Sequence, residues 1–534
     1  MNVENERSRS LWMETTRPKA RPLSSDLRVD TLVVGAGIAG LSTAYELMRR
    51  GHEVAVVDRG AIASGVTART SAHLASQIDD RYAEIIETHG EQSARRYFES
   101  QKAAIDRIEA ICSETNVDCE FKRVDLYLLA PDRKGRRKLE KEIEAAGRIG
   151  FSGVLWTDSP IDGPAQGCLR FPNQARFHPL RYLNGLVKAM KRREVPLYSE
   201  TAIVSVHETA RGVVAKSENG CTITARALVA ATNAPFVNRL AVHTKQAPYR
   251  TYVLTAPVPR GSVIDALIWD TEDPYHYVRL DPREKHDLLI FGGEDHKSAT
   301  SDDAADRLKR LEGWARERFP KMGAVQESWS GQIYEPTDYL PFIGKSPGHR
   351  RVFIVSGDSG EGLTTAVAAS LILPDLIEGR RNVWAKVYSP SRRPPAPSPI
   401  AEYAKGVVGA AKGLVEKVVP RERPERIARG TGAIIKVKGK EHAAYRDRQG
   451  ELHVMKAACT HVGCTVQWNS FEECWDCPCH GSQFAPTGEA LQCPAVSPLK
   501  TAASVLVEDA PPVRRKPGRN TRTRREAPGL NQTA

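Results

Sequence analysis

Hydrophobic and polar positions near the start of the chain follow two different periods. A short apolar run at 29–34 is followed by a helical pattern that continues to about Arg50, and a second apolar run occupies 53–57. Apolar runs of this length predict buried strands, and the segment between them predicts an amphipathic helix. Further helical patterns near 80–115 and 133–148 lie between strand-like segments. Strands that alternate with helices predict an α/β fold with a parallel sheet.

The connection between the first predicted strand and the helix is rich in glycine. It reads Gly35-x-Gly37-x-x-Gly40, and the second strand ends at Asp58. In a β–α–β unit of this kind the first glycine permits a tight turn, the second lets a pyrophosphate approach the backbone, and the third lets helix and strand pack closely. The helix N-terminus stabilises the pyrophosphate charge, and the acidic residue accepts hydrogen bonds from the ribose. The pattern predicts a dinucleotide site and by itself leaves NAD and FAD open.

The middle of the chain predicts an antiparallel sheet that is interrupted by a helix at about 302–319. Its candidate strands are 249–258, 275–280 and 287–293. Side chains alternate along a strand, so Tyr275, Tyr277 and Arg279 share one face. A polar run at 292–297 follows the last of these strands directly, and it either reaches a substrate site or forms a turn with solvated charges.

Residues 28–385 resemble the FAD-dependent oxidoreductases of the D-amino-acid oxidase, glycine oxidase and sarcosine oxidase type. Besides the glycine fingerprint, the resemblance rests on the segments 230–234, 339–344 and 352–364. It implies bound FAD, held by a Rossmann-like domain that is interleaved with an antiparallel-sheet substrate domain. The cofactor-binding residues that it implies are Gly35, Gly37, Ile38, Ala39, Gly40, Asp58, Arg59, Arg69, Thr70, Ser71, Ile203, Thr232, Asn233, Gly344, Gly357, Asp358, Gly360, Gly362, Leu363 and Thr364.

The same resemblance implies the chemistry of the site. The last glycine-rich turn closes over the flavin, and the helix at about 363–378 points its N-terminus at the ring, where its dipole would stabilise the anionic reduced flavin. Tyr, Arg and His side chains line the substrate face in this family and orient an amine or a carboxylate. Tyr275, Tyr277 and Arg279 are therefore the candidate catalytic residues, and the sequence identifies no catalytic base.

A second group of chemistry-bearing residues lies near the C-terminus. Cys459-x-His461 and Cys477-x-x-His480 supply two thiols and two imidazoles, with fifteen residues between the pairs. Two Cys and two His suit a [2Fe–2S] centre in which one iron takes the thiolates and the other takes the imidazoles. They also suit tetrahedral zinc, although zinc pairs usually have C-x₂₋₄-C and H-x₃₋₅-H spacing. The cluster is the preferred interpretation, and zinc is the alternative.

This motif resembles the Rieske family. The resemblance implies that the two cysteines bind one iron and the two histidines the other, within an all-β domain at 425–508. It also implies a disulfide between Cys464 and Cys479, which would join the two cluster-binding loops. Ser482 matches a serine that donates a hydrogen bond to cluster sulfur in high-potential members, whereas Phe484 stands where such members often have tyrosine. Hydrogen bonds to cluster sulfur raise the potential, so the missing hydroxyl disfavours a very high one.

Composition bounds the domain organisation and excludes some function classes. The chain has 534 residues, and no apolar run approaches the ~20 residues that span a bilayer. The expected organisation is a flexible arm at 1–27, the flavin region at 28–385, a proline-rich linker and helix at 386–424, the Rieske domain at 425–508 and a disordered basic tail at 509–534. The N-terminus lacks the apolar core of a signal peptide, so we expect a cytoplasmic protein without a membrane span.

The net charge of +12 raises the question of nucleic-acid binding. Much of the excess lies at Arg392–Arg429 and Arg514–Arg525. A basic tail can bind nucleic acid or an acidic partner, but no nucleic-acid-binding motif accompanies this one. A solvated tail is therefore favoured, and no nucleic-acid partner is expected.

A chain that holds both FAD and a [2Fe–2S] cluster indicates an internal electron path. A flavin accepts two electrons as hydride, and the cluster carries one electron at a time. The leading hypothesis is an oxidoreductase that oxidises an amine or amino acid at a C–N bond, reduces its own cluster and passes electrons to an unknown acceptor. One alternative is a flavin oxidase that reduces O₂ directly, with the Rieske domain structural or a redox gate. Another is a redox-sensing protein that acts through its basic tail.

Overall fold

The structure is a computed structural model that describes residues 6–237, 240–393 and 423–502. Seven α-helices lie within these ranges. They are α1 Ile38–Arg49, α2 Tyr82–His89, α3 Glu91–Thr115, α4 Arg133–Ile149, α5 Pro179–Lys191, α6 Ala304–Arg318 and α7 Gly362–Ile377. Single 3₁₀ turns occur at Leu11–Glu14, Val66–Arg69, His243–Lys245 and Pro424–Arg426.

The described strands divide between the flavin region and the C-terminal domain. Those of the flavin region are β1 Leu27–Val34, β2 Val54–Val57, β3 His73–Leu74, β4 Lys122–Ala130, β5 Leu155–Trp156, β6 Gly167–Arg176, β7 Leu197–Tyr198, β8 Ile203–Glu208, β9 Val213–Ser217, β10 Thr222–Ala230, β11 Gln246–Val258, β12 Leu267–Asp270, β13 His276–Pro282, β14 Asp287–Lys297, β15 Ser328–Pro336, β16 Phe342–Lys345 and β17 Val352–Ser356. Those of the C-terminal domain are β18 Thr431–Val437, β19 Lys440–Arg446, β20 Leu452–Lys456, β21 Gln467–Asn469, β22 Cys474–Asp476, β23 Gln483–Phe484 and β24 Ala490–Gln492.

A largely parallel sheet carries the predicted β–α–β unit. Its strand order is β16-β17-β10-β1-β2-β7, and β8 and β9 form a hairpin joined to β10. On β1, Leu32 and Val33 are completely buried and belong to different apolar cores, so the sheet is covered on both faces. A strand that is buried on both faces is a continuous apolar run, which is why the sequence pattern identified it. The predicted α/β fold is confirmed.

A nine-stranded, mainly antiparallel sheet forms the rest of the flavin region, in the order β15-β11-β14-β13-β12-β4-β6-β3 with β5 beside β6. The sequence pattern did not predict β6 or β15. Pro172 lies inside β6, and proline removes a donor from the hydrogen-bond ladder. On β15 the polar side chains of Ser330 and Gln332 are buried because the C-terminal domain bonds to them. A buried polar position cannot be recognised from hydrophobic periodicity alone.

The described part of the C-terminal domain is built from strands and contains no α-helix, as the Rieske resemblance implies. Strands β18, β19 and β20 form one antiparallel sheet, and β21, β22, β23 and β24 form a second. Trp475 and Phe484 are completely buried in the core that also contains Cys459 and Cys477. The core therefore supports both predicted cluster-binding loops directly.

The N-terminal segment corrects one expectation. Residues 6–27 pack on the flavin region and do not form a flexible arm, because the side chains of Trp12 and Leu23 are only 1% and 2% exposed. The indole N–H of Trp12 donates a hydrogen bond to the Thr70 carbonyl oxygen at 2.6 Å. The prediction relied on the polar composition of the segment, which does not show that a few apolar residues anchor it to the flavin region.

The predicted linker begins later than expected. Tyr388 is completely buried, and its hydroxyl lies 2.6 Å from the Ser100 hydroxyl on α3. The guanidinium group of Arg392 donates to the Asp338 carboxylate at 2.7 Å, so packing on the flavin region continues past 385. The remainder of the predicted linker, its helix and the tail at 509–534 lie outside the described residues. Among the helices described, none is both long enough and apolar enough to cross a bilayer.

Candidate functional site

The glycine turn after β1 requires glycine at two positions. Gly35 has a φ of +108°, and a Cβ atom there would lie 2.2 Å from the Ala231 carbonyl oxygen at the end of β10. A Cβ atom on Gly40 would lie 1.8 Å from the Gly35 carbonyl oxygen. The turn therefore packs against two neighbouring backbones with no room for side chains, and it leaves an open cradle at the N-terminus of α1. A cradle of this type fits the pyrophosphate of a dinucleotide.

The carboxylate of Asp58 is held over this cradle. Its Oδ2 accepts a hydrogen bond from the Ala36 N–H at 2.6 Å, and its Oδ1 accepts one from the Gly60 N–H at 2.9 Å. Thr67 Oγ1 accepts a hydrogen bond from the Ile38 N–H at 3.1 Å and so caps the helix end. Thr67 was missed by the sequence analysis, although it lies within the Ser/Thr-rich loop whose neighbours were singled out.

Most of the predicted cofactor-binding residues line one cavity. The predicted residues that line it are Gly35, Gly37, Ile38, Ala39, Asp58, Arg69, Thr70, Ser71, Thr232, Asn233, Asp358, Gly360, Gly362 and Leu363. Segments from four distant parts of the chain thus meet in one place. The N-terminus of α7 opens into this cavity through Gly362 and Leu363, where its dipole favours negative charge.

The other predicted cofactor residues do not line this cavity. They are Gly40, Arg59, Ile203, Gly344, Gly357 and Thr364. The guanidinium group of Arg59 donates instead to the Ala490 carbonyl oxygen of the C-terminal domain at 2.7 Å. Ile203 is buried in an apolar core, and the Thr364 hydroxyl donates to the Glu361 carbonyl oxygen within α7.

A second cavity of about 460 Å³ adjoins the first. Asp79, Trp269 and Tyr275 line both cavities and so form the boundary between them. Cys479 and His480 of the C-terminal domain line the second cavity as well. The flavin region alone does not complete this cavity, because the C-terminal domain supplies one of its walls.

Carboxyl groups are concentrated around the boundary between the cavities. Burial raises the pKa of Asp79 to about 8, of Asp295 to about 7 and of Asp80 to about 6. Burial also raises the pKa of Glu335 and Glu361 well above the usual range, and neighbouring carboxylates add to the effect. Like charges in a poorly solvated space cannot all ionise, so some of these carboxyl groups hold protons at neutral pH.

The three predicted catalytic residues separate in the structure. Tyr275 lines both cavities, and Tyr277 lines the first. Arg279 lines neither: its guanidinium group donates to the carbonyl oxygens of Ala72 at 3.0 Å and Phe177 at 3.1 Å. It is 1% exposed, and its side chain holds the backbone at these two positions. Of the three, Tyr275 and Tyr277 therefore line a cavity, and only Tyr275 lines the second one.

Only part of the polar run at 292–297 reaches a cavity. Asp295 and Lys297 line the second cavity, so part of the run reaches the candidate substrate site. Glu294 points elsewhere, and its carboxylate accepts from the Arg310 guanidinium group at 2.6 Å. Burial lowers the pKa of Lys297 to about 8. The β-strand alternation explains the split, since successive side chains leave opposite faces.

The four predicted cluster ligands converge. The imidazole rings of His461 and His480 lie 5.0 Å apart between centroids, and the thiols of Cys459 and Cys477 are within hydrogen-bonding contact. His480 Nδ1 is buried and makes no hydrogen bond to any residue that the structure describes. A buried imidazole nitrogen without a partner is costly unless it binds something, so this donor set fits a metal centre.

The two cluster loops are tied together beside the ligands. Cys464 and Cys479 form a disulfide bond. The sulfur atoms of Cys464, Cys477 and Cys479 all lie within 4.8 Å of one another. Because Cys464 and Cys479 are joined in the disulfide, only Cys477 of these three can supply a thiolate to a metal. The Ser482 hydroxyl is buried, accepts from the Ala495 N–H at 3.1 Å and lies within hydrogen-bonding distance of Cys459. It is therefore positioned to bond a sulfur atom of the centre.

The edge of the C-terminal domain that carries His461 and His480 faces the flavin region. The ring of His243 lies 5.0 Å from that of His461 and 5.5 Å from that of His480. The Tyr334 hydroxyl donates to the His480 carbonyl oxygen at 3.2 Å, and Gln332 Nε2 donates to the Gly481 carbonyl oxygen at 2.8 Å. His461 is only 8% exposed, because these residues of the flavin region cover it.

A buried ionic network holds the two domains in this arrangement. The Arg250 guanidinium group donates to the Asp476 carboxylate at 2.9 Å, and Arg69 lies 3.2 Å from Glu472. Glu6 of the N-terminal segment completes the network at 2.9 Å from Arg69. All five side chains are nearly inaccessible to solvent. The predicted cofactor residue Arg69 therefore contributes its backbone to the cavity and its side chain to the interface.

Comparisons with known proteins agree with both halves of this arrangement. A profile of FAD dependent oxidoreductases matches residues 30–376, and a profile of the Rieske [2Fe-2S] domain matches residues 418–503. YhfW of Bacillus subtilis, described as a Rieske 2Fe-2S iron-sulfur protein, is 32% identical over 496 residues, which are 92% of this chain and 96% of that protein.

Two further relatives match the flavin region. Gamma-glutamylputrescine oxidoreductase of Escherichia coli is 22% identical over 377 residues, covering 67% of this chain and 85% of that protein. The crystal structure of glycine oxidase from Geobacillus kaustophilus superposes with a TM-score of 0.59 at 20% identity, covering 69% of this chain and 99% of that one. The latter likeness shows a shared fold.

Proposed function

The chain belongs to the FAD-dependent oxidoreductase family and carries a Rieske [2Fe–2S] domain, and from that premise we propose that it oxidises an amine or amino acid at a C–N bond and passes the electrons through its own cluster to an acceptor. The flavin region binds FAD and the C-terminal domain binds the cluster. Membership of the Rieske family removes the zinc alternative.

Residues in the cofactor cavity and in the two cluster-binding loops are proposed to hold FAD and the [2Fe–2S] cluster. The turn at Gly35 and Gly37 and the carboxylate of Asp58 would hold the dinucleotide part of FAD, with the N-terminus of α7 beside the ring. Cys459, Cys477 and the two histidines would hold the irons. When bound, FAD takes up a hydride from the carbon next to nitrogen, and the cluster carries single electrons onward.

The contact made by Tyr334 is the observation that carries the proposed electron path. Its backbone N–H donates to Asp358 Oδ1 at 3.2 Å, and Asp358 lines the cofactor cavity. Its hydroxyl donates to the carbonyl oxygen of the cluster ligand His480. One residue thus spans the distance between the two sites. A close and rigid contact of this kind supports transfer within the chain, because the ionic network limits movement of the domains.

The second cavity is the proposed substrate site. It shares Asp79, Trp269 and Tyr275 with the cofactor cavity, so a molecule bound there would contact the region that holds the ring. Two relatives of the flavin region are named for a glycine substrate and a glutamylated amine, and these names support C–N chemistry.

Anaerobic rapid mixing with a panel of amines and amino acids tests the proposal. We expect one compound to bleach the flavin absorbance and the cluster's electron-spin signal to appear afterwards. His461→Ala should bleach the flavin in the same way without giving that signal. His453→Ala, a histidine of the same domain that pairs with Asp447, is the matched control and should keep it.

Two results would overturn parts of the proposal. If no amine or amino acid bleaches the flavin although dithionite reduces both groups, the substrate lies outside C–N chemistry. If the cluster stays oxidised through many aerobic turnovers, electrons leave the flavin for O₂ and the internal path is wrong.

A further inference from the structure

The proposed substrate cavity is strongly acidic, although the whole chain carries a net charge of +12. Asp79, Asp80, Asp295 and Glu335 line it and come from three separate parts of the flavin region. Asp79 and Asp80 precede α2, Asp295 lies on β14, and Glu335 lies on β15. The Ser359 hydroxyl joins two of them, at 2.7 Å from Asp80 and 2.9 Å from Glu335. These carboxyl groups are brought together by the tertiary structure and face one enclosed space.

Asp79 is the carboxyl group at the boundary with the cofactor cavity. A Cβ atom on Gly360, in the turn before α7, would lie 2.3 Å from Asp79 Oδ2 and 3.6 Å from the Tyr275 hydroxyl. Tyr275 donates a hydrogen bond to the same carboxyl group. A substrate nitrogen that contacts Asp79 would therefore lie next to the part of the cavity that holds the flavin.

Aromatic rings accompany these carboxyl groups. Trp269 and Tyr275 line the boundary, and Tyr249 and Tyr339 line the wider part of the cavity. Ammonium groups bind well where carboxylates combine with aromatic faces, because both present negative potential. Asp295 Oδ1 is buried and makes no hydrogen bond to any described residue. An acceptor of this kind is available to a donor on a ligand.

A carboxylate on the substrate finds no comparable anchor at the boundary. Arg279, which the sequence placed there, bonds backbone carbonyl groups outside both cavities. Two cationic side chains of the cavity already interact with other groups: Lys138 Nζ donates to the Thr271 carbonyl oxygen at 3.0 Å, and Arg81 lies 3.8 Å from the Glu84 carboxylate and close to the carboxyl groups of Asp79 and Asp80. Lys297 lies toward the wall formed by His480, on the side of the C-terminal domain.

We propose that the substrate is a cationic alkylamine without a carboxylate next to its nitrogen, and that its ammonium group binds between Asp79 and Tyr275. This assignment of substrate class rests on the proposed function of the same cavity. It distinguishes the protein from an enzyme that holds an α-amino acid by its carboxylate. Further carboxyl groups of the cavity, among them Asp80, Asp295 and Glu335, make it attractive to a second cationic group on the same molecule.

Three ligands of one shape test the charge preference without any reaction. Tert-butylammonium, pivalate and tert-butanol share the same tert-butyl group and differ in carrying a positive, a negative or no charge. None has a hydrogen on the carbon next to its polar group, so none can be oxidised there. Binding to the holoenzyme is read from the shift of the flavin absorbance spectrum. We expect tert-butylammonium to bind at least tenfold more tightly than the other two.

Variants locate the ammonium group. Asp79→Asn removes the charge and keeps the shape, and at pH 8.5 it should weaken tert-butylammonium binding about tenfold, which corresponds to 1.4 kcal/mol. Asp295→Asn should weaken it less. Asp162→Asn changes an exposed aspartate outside the cavity and is the matched control. Each variant is first checked for full flavin and cluster content, so a folding defect in one still leaves the other as a test.

The outcomes separate this inference from the proposed function. Tighter binding of pivalate than of tert-butylammonium, or unchanged binding in both Asp79→Asn and Asp295→Asn, overturns the inference. A matched reactive pair then tests oxidation: n-butylamine should bleach the flavin faster than norvaline, which adds a carboxylate beside the nitrogen. Selective binding of tert-butylammonium without bleaching by any amine would keep the charge preference and overturn the proposed C–N oxidation.

Discussion

The Tyr334 hydroxyl donates a hydrogen bond to the carbonyl oxygen of His480 at 3.2 Å, which places a tyrosine of the flavin region directly on a proposed cluster ligand. The same tyrosine is 1% exposed and is held at its backbone by Asp358. This contact joins the cofactor cavity to the cluster site through one residue. The proposed cluster site is thus packed directly against the flavin region.

Removing that hydroxyl should slow electron transfer more than it affects folding. Tyr334→Phe loses the hydroxyl's contacts with the carbonyl oxygens of His480 and Gly481 and with Gln332 Nε2, and each hydrogen bond is worth about 1 kcal/mol. We expect flavin reduction to keep its rate and cluster reduction to slow several-fold in anaerobic stopped-flow measurements. Tyr388→Phe loses hydrogen bonds to Ser100 and Gln101, away from the cluster, and is the matched control. Equal rates in both variants would remove Tyr334 from the path.

The approach of the two domains depends on a glycine. Gly481 has a φ of +72°, and a Cβ atom there would lie 2.4 Å from the Tyr334 hydroxyl oxygen. Gly481→Ala should separate the cluster loop from the flavin region, seen as faster amide hydrogen exchange at β15 and slower cluster reduction. The electron-spin signal of the cluster should persist.

A second glycine in the cluster loops provides the control for that prediction. Gly463 has a similar φ of +88°, but a Cβ atom there would meet nothing within 4 Å. Gly463→Ala carries the same backbone strain of roughly 1 kcal/mol without the clash. If both alanine variants change hydrogen exchange at β15 equally, strain within the loop, and not contact with Tyr334, explains the effect.

The ionic network at the interface should be sensitive to loss of one partner. Arg250→Met leaves the Asp476 carboxylate buried without its guanidinium partner, which typically costs about 3–5 kcal/mol. We expect a lower midpoint of the thermal transition that releases the C-terminal domain, followed by near-UV circular dichroism. Lys102→Met breaks an exposed pair with Asp106 and should cost about 0.5 kcal/mol or less. Similar shifts in both would show that the network does not hold the domains.

Cation binding in the substrate cavity should tighten as pH rises. Burial raises the pKa of Asp79 to about 8 and of Asp295 to about 7, so both carboxyl groups are neutral at pH 6 and become negative above pH 8. A bound ammonium favours the ionised form, so binding releases protons near pH 7. Alkylammonium groups stay charged over this range, as lysine does with its pKa near ~10.4.

Two measurements check this pH dependence. The dissociation constant of tert-butylammonium should fall between pH 6 and pH 8.5, and calorimetry in buffers of different ionisation enthalpy should show proton release at pH 7. Asp80, Glu335, Glu361 and Arg81 surround Asp79 and will broaden the transition. Asp79→Asn should reduce the proton release. A pH-independent dissociation constant would mean that these carboxyl groups do not contact the cation.

Short motifs in the sequence were enough to predict both cofactors. Gly35, Gly37 and Asp58 all line the predicted cavity, because a β–α–β turn has one geometry and the residues that form it are close in sequence. Cys459 and His461 are likewise two residues apart on one loop. Local sequence predicts the glycine turn and each cluster-binding loop, because the residues that form each of them are close together in the chain.

Residues whose roles depend on distant partners could not be predicted in this way. Arg279 and Arg69 have the residue type and the local position of ligand-binding groups, yet one holds backbone and the other joins the domain interface. Trp12 lies in a polar segment and is nonetheless fully buried. The burial of a side chain is set by what packs on it from elsewhere, which local pattern does not record.

The sequence by itself therefore determined the α/β and all-β domains and the two cofactors, and it predicted the flavin cradle and the set of cluster ligands. Only the tertiary structure decided that the cluster edge packs on Tyr334, and that Asp79, Asp295 and Glu335 meet beside the cofactor cavity. The physical reason is that backbone turns and strand periodicity arise from neighbouring residues. The charge and shape of a cavity arise instead from side chains that are far apart in sequence and meet only when the sheets pack.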